Sequence, residues 1–66
     1  MKYGEVMRQQ RLIQGKTMLD VQRDTGISNQ NLSRWERNEV VPNIEACVTL
    51  ARYYGITLED LLGIDL

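Results

Sequence analysis

Helix stops and starts follow one another so closely along these 66 residues that no strand has room to form between them. Gly15, Gly26, Gly55 and Gly63 each end a run with helical spacing of apolar residues, the place where a glycine lets the chain turn left-handed. Thr17, Ser28, Asn43 and Thr57 stand where side-chain oxygens can cap the first free amides of the next helix. Two of them open a capping box, Thr17-x-x-Asp20 and Thr57-x-x-Asp60, with aspartate in place of the usual glutamate or glutamine. The pattern predicts an all-α chain of five short helices in a single domain over 1–66, without repeats or an interdomain linker.

The first helix is expected over 3–14, with Val6, Met7, Ile13 and Tyr3 as apolar contacts and Gln10 interrupting the stripe where a further core residue would fall. The second starts at the Thr17 box and ends at Gly26. Ser28 caps the third by accepting from the amide of Gln30 or Asn31. Leu32 and Trp35 anchor it inward, and Asn38 ends it in a left-handed conformation. Pro42 biases Val41 towards extended backbone in the loop that follows. Ile44, Cys47, Val48, Leu50, Ala51 and Tyr54 give the fourth helix its apolar face, and Leu58, Leu61 and Leu62 serve the fifth.

Composition removes several classes of function. No apolar run approaches the ~20 residues of a membrane helix, and the first residues lead into no apolar signal segment. Without histidine, and with Cys47 as the single cysteine, the chain has no zinc ligand set, no Ser-His-Asp or Cys-His constellation and no internal disulfide. No cofactor or small-molecule substrate is implied. A non-enzymatic cytoplasmic protein is expected, with Cys47 a small buried hydrophobe on the fourth helix.

A formal net charge of −1 speaks against nucleic acid until its distribution is considered. Residues 1–38 carry seven basic groups against four acidic, a balance of +3; residues 39–66 carry one basic group against five acidic, a balance of −4. A basic half can meet phosphate while the acidic half faces away. On the third helix, Asn29, Gln30, Ser33, Arg34 and Arg37 fall on one side at helical spacing. All five can hydrogen-bond base edges or phosphates.

The run Gly26-Ile27-Ser28, then Leu32-Ser33-Arg34-Trp35-Glu36-Arg37, then Pro42 and Leu50-Ala51, resembles the Cro/C1-type (XRE) helix-turn-helix family of lambda-repressor-like DNA-binding domains. The resemblance extends over roughly residues 4 to 63. It implies a compact five-helix domain whose third helix, about 28–37, lies in the major groove of double-stranded DNA. It puts Asn29, Gln30 and Arg34 at base-contact positions, with Ser33 as a candidate fourth. It puts Arg37, Asn38 and the amides near Thr17 and Met18 at phosphate contacts. It also implies an ion pair between Arg11 and Glu36. Three positions depart from the family pattern: Met18 replaces a glutamine that touches phosphate and braces the third helix, Gln22 replaces a small alanine, and Thr25 replaces a core leucine.

The resemblance implies a sequence-specific transcriptional regulator, a repressor in the first instance, acting as a homodimer on a pseudo-palindromic operator. The apolar tail Leu61-Leu62-Gly63-Ile64-Asp65-Leu66 either supplies the dimer surface or closes the core. The competing reading is a protein–protein or antitoxin-like adaptor module that keeps the fold without reading DNA; the acidic pI and the altered second helix favour it.

Overall fold

The computed structural model describes residues 2–64. Its helices are α1 (Tyr3–Ile13), α2 (Met18–Thr25), α3 (Asn29–Glu36), α4 (Ile44–Tyr54) and α5 (Leu58–Leu62), with no strand among the described residues. The predicted caps form as hydrogen bonds. Thr17 closes a full capping box with Asp20, Ser28 accepts from the Asn31 amide, Asn43 from Ala46 and Thr57 from Asp60. Asn38 takes the left-handed conformation with φ 58°.

Tyr3, Met7, Val21, Leu32, Trp35, Ala46, Cys47, Leu50, Ala51, Tyr54 and Leu61 make the core. Met7, Leu32, Leu50, Leu61 and Val21 are fully enclosed, and each such side chain contributes about 1.5–3 kcal/mol relative to exposure. α1 packs on α3, α5 and α4, while α2 packs on α3 and α4. The helix-turn-helix pair α2–α3 is therefore supported from two sides. The start of α1 is tied to the end of α5 by the Lys2 amide, which donates to the Leu62 carbonyl at 3.1 Å.

Two expected core residues lie outside. Ile13 is 75% exposed. The buried line of α1 runs through Tyr3, Met7 and Arg11, and a residue two positions beyond Arg11 points about 200° away from it at ~100° per residue. Val6, at the edge of the same line, is only half-buried. Ile44 is 68% exposed: it keeps the angular position of the α4 stripe but stands in the first turn, where no described element covers it. Cys47 is buried as expected, and burial pushes its thiol pKa up, which disfavours the reactive thiolate. Leu61 closes the core and Leu62 is half-buried. Asp65 and Leu66, the end of the proposed dimer tail, lie outside the described residues.

α1 also makes a close approach that its pattern does not announce. A Cβ on Gly4 would stand 2.6 Å from Asn38 Oδ1 and 2.7 and 2.8 Å from the carbonyl oxygens of Trp35 and Glu36. Glycine inside a helix costs about 1 kcal/mol relative to alanine, but here it lets the first turn of α1 lie directly on the last turn of α3.

Candidate nucleic-acid interface

The turn between α2 and α3 is fixed by side chains as well as by Gly26, whose φ is 78°. The Thr25 hydroxyl donates to the Val21 carbonyl at 2.7 Å and accepts from the Ile27 amide at 3.2 Å. A leucine at this position would fill space but could not hold the turn, so Thr25 replaces packing with hydrogen bonding. Gln22 spans the turn as well. Its Oε1 accepts from both the backbone amide and the side-chain Nδ2 of Asn29, each at 2.8 Å.

Beyond the turn, α3 divides cleanly. Leu32, Trp35 and Glu36 are buried, and Gln30, Arg34 and Arg37 are exposed, with Asn29 and Ser33 half-buried between. Arg34 makes no ion pair among the described residues. Arg37 does: its Nε lies 2.8 Å from Glu39 and also donates to the Ser33 carbonyl at 3.3 Å. Asn38 is exposed just past the helix end.

The start of α2 is partly used up by its own cap. The Thr17 amide donates to Asp20 Oδ2 at 2.9 Å, and the Asp20 amide donates to Thr17 Oγ1 at 3.0 Å. These bonds, backbone first, hold the Asp20 carboxyl below its ordinary range. Of the two residues expected to meet phosphate here, Met18 therefore keeps a free helix-end amide and Thr17 does not. Nearby charges are matched in pairs. Arg23 lies 3.4 Å from Asp20 and 3.2 Å from Asp24, and Lys16 lies 3.8 Å from Asp24. Tyr53 of α4 donates its hydroxyl to Asp24 at 2.5 Å and so ties α4 to α2.

Behind α3, Arg11 and Glu36 form a two-pronged pair, Nε to Oε2 at 2.8 Å and Nη2 to Oε1 at 2.9 Å. A third guanidinium donor reaches the Lys16 carbonyl at 3.0 Å. Both residues are less than a tenth exposed. The bond to Glu36 raises the Arg11 pKa further despite burial. The pair clamps α1 to the last turn of α3.

A family profile described as helix-turn-helix matches residues 7–61. The chain belongs to the helix-turn-helix family. It is thereby a DNA-binding regulatory domain, and the all-helical fold agrees with the Cro/C1-type branch that the sequence resembles. Curated proteins give no match to this helix-turn-helix chain. No described helix is long and apolar enough to cross a membrane. Three features of the site escaped sequence reasoning: the Glu39 partner of Arg37, the Asp24–Tyr53 bond, and the identity of the group that Gln22 engages. Only the last had a signal, a long amide in a position suited to a small residue.

Proposed function

We propose that this protein is a sequence-specific, double-stranded DNA-binding regulator that represses transcription by occupying an operator in the cytoplasm. The observation that carries the reading is the division of α3: Leu32 and Trp35 hold it to the core while Asn29, Gln30, Ser33 and Arg34 share the opposite face, with Arg34 exposed and outside any ion pair among the described residues. Arg34 suits guanine O6/N7, and Asn29 or Gln30 suits adenine N6/N7. The Met18 amide, Arg37 and Asn38 meet phosphates on either side. One domain of this size buries little DNA surface, so two copies bind half-sites about one helical turn, ~34 Å, apart.

A second reading, a protein–protein module on the same fold, draws on the ion pairs. Lys16, Arg23 and Arg37 are each matched by a carboxylate, which weakens the positive field that non-specific DNA binding needs. Selection of bound duplexes from a random pool decides between them. A DNA regulator enriches a two-fold-related sequence with a defined spacing; an adaptor module enriches none.

A further inference from the structure

We propose that Gln22 is a specificity-determining residue: by fixing the side-chain amide of Asn29 in one orientation, it makes that residue select adenine over guanine. The inference rests on the reading of Asn29 as a base-contacting residue. The geometry behind it is a two-step chain of hydrogen bonds across the turn, both steps ending on Gln22 Oε1 at 2.8 Å.

The first step starts from an atom that has no alternative orientation. Asn29 is the first residue of α3, so its backbone N–H has no acceptor within the helix. Only the oxygen of the Gln22 amide satisfies it; the Nε2 end would set donor against donor. The second step follows from the first. With Oε1 turned to α3, the Asn29 side chain engages it through Nδ2, because its own oxygen would face another oxygen. The orientation of both amides is thus set by a backbone donor, without ambiguity between nitrogen and oxygen.

What remains on Asn29 is one N–H and the Oδ1 acceptor. That set complements adenine, which offers an N6 donor and an N7 acceptor in the major groove. Guanine offers two acceptors, N7 and O6, and would need both N–H groups of a carboxamide, one of which Gln22 holds. An asparagine without this partner could turn either edge to the groove. The Gln22 oxygen is taken up by two donors of Asn29, so Gln22 acts through Asn29 as a positioning residue.

The test compares wild type with Gln22→Ala, Gln22→Glu and Asn29→Ala in selection from a random duplex pool, after thermal unfolding shows each variant folded. Wild type is expected to prefer adenine over guanine by roughly 5- to 150-fold at the one position that Asn29→Ala erases. Gln22→Ala is expected to bring that position near parity while leaving the rest of the motif intact. Gln22→Glu keeps the acceptor and so keeps the preference at lower overall affinity. Exchange of the Asn29 side-chain amide protons in the free protein gives a readout that needs no DNA, slower in wild type than in Gln22→Ala. A Gln22→Ala variant with wild-type preference at that position, or with equal amide exchange, overturns the proposal. A wild type that enriches no motif overturns the base-contact reading and this inference together, whereas a motif that survives Gln22→Ala unchanged overturns this inference alone.

Discussion

Arg37 Nε sits 2.8 Å from the Glu39 carboxylate, with both side chains more than half exposed. A phosphate that takes Arg37 therefore meets a carboxylate already on one of its donors. Exposed pairs of this kind are worth about 0–1 kcal/mol, so the competition is mild but works against every DNA sequence equally. Glu39→Gln should strengthen binding to specific and non-specific duplex alike, by up to about fivefold at low salt. Titrations at several salt concentrations check it, and equal affinities for wild type and variant at low salt would sink the claim.

Arg34 and Arg37 should separate reading from positioning. Arg34→Ala is expected to cost roughly 1–3 kcal/mol on the selected operator and to relax preference at one base pair. Arg37→Ala is expected to weaken all sequences alike and to lower the salt slope by about one. If both variants bind the selected operator like wild type, α3 is not the reading helix.

The buried Arg11–Glu36 pair is expected to dominate stability. Replacing one partner strands a charge in a site less than a tenth exposed, a loss of about 3–5 kcal/mol. Total stability is only about 0.05–0.15 kcal/mol per residue, so Glu36→Gln should remove about a third of it or more. Arg11→Met combined with Glu36→Leu should lose far less than the two single changes summed. Urea unfolding measures both; a loss under about 1 kcal/mol for Glu36→Gln contradicts the assignment.

Tyr54 carries a buried hydroxyl with no hydrogen-bond partner among the described residues, and burial first, then the Glu36 charge, pushes its pKa up to about 12. An unsatisfied buried hydroxyl costs about 1–3 kcal/mol. Tyr54→Phe should therefore raise the unfolding temperature by several degrees, about 4–8 °C per kcal/mol at this size. A lower melting temperature for the phenylalanine variant would show that the hydroxyl is satisfied after all.

The Tyr53–Asp24 bond needs an ionised carboxylate and a neutral phenol, which gives stability a limb at each end of the pH scale. The Tyr53 bond is the largest cause lowering the Asp24 pKa, so its contribution is present above the ordinary carboxylate range and lost as pH falls through the native value. The Tyr53 pKa is pushed up from 10.0 to about 12, chiefly by the same bond. Its contribution is intact below the unfolded value and lost as pH rises towards the native one. Tyr53→Phe should make both limbs shallower, the acid one where Arg23 still holds Asp24 and Asp20 still titrates low, and the alkaline one where Tyr54 still titrates. Denaturant midpoints across both limbs test this, and identical pH profiles would refute it.

Local signals in the chain were enough for the helix ends, because a cap needs only a side-chain oxygen and an amide a few residues apart. Thr17, Ser28, Asn43 and Thr57 all sit where that logic puts them. Apolarity alone places Ile13 inside, but its angle does not: the buried line continues through Arg11, whose burial is compensated by a glutamate 25 positions along the chain. The charge halves, +3 and −4 along the sequence, do not predict a field either. In space Arg37 of the basic half meets Glu39 of the acidic half, so a sum over residues 1–38 overstates what DNA would feel. Gln22 shows in sequence only that its amide must reach solvent or a partner, since the turn that brings Asn29 to it exists only in three dimensions.

The approach of Gly4 to α3 bears on whether the helix-turn-helix segment can be moved by itself. Trp35 and Glu36 present their carbonyls to a bare stretch of α1 backbone, and Glu36 is neutralised by a guanidinium from the same helix. A transplant of residues 17–38 onto a foreign scaffold would carry the side chains proposed to read bases but leave a buried carboxylate and a surface shaped for glycine behind them. Exchange between relatives, natural or engineered, is therefore expected to succeed for side chains swapped one by one on the outer face of α3, or for the whole fold, and to fail for the two-helix segment alone.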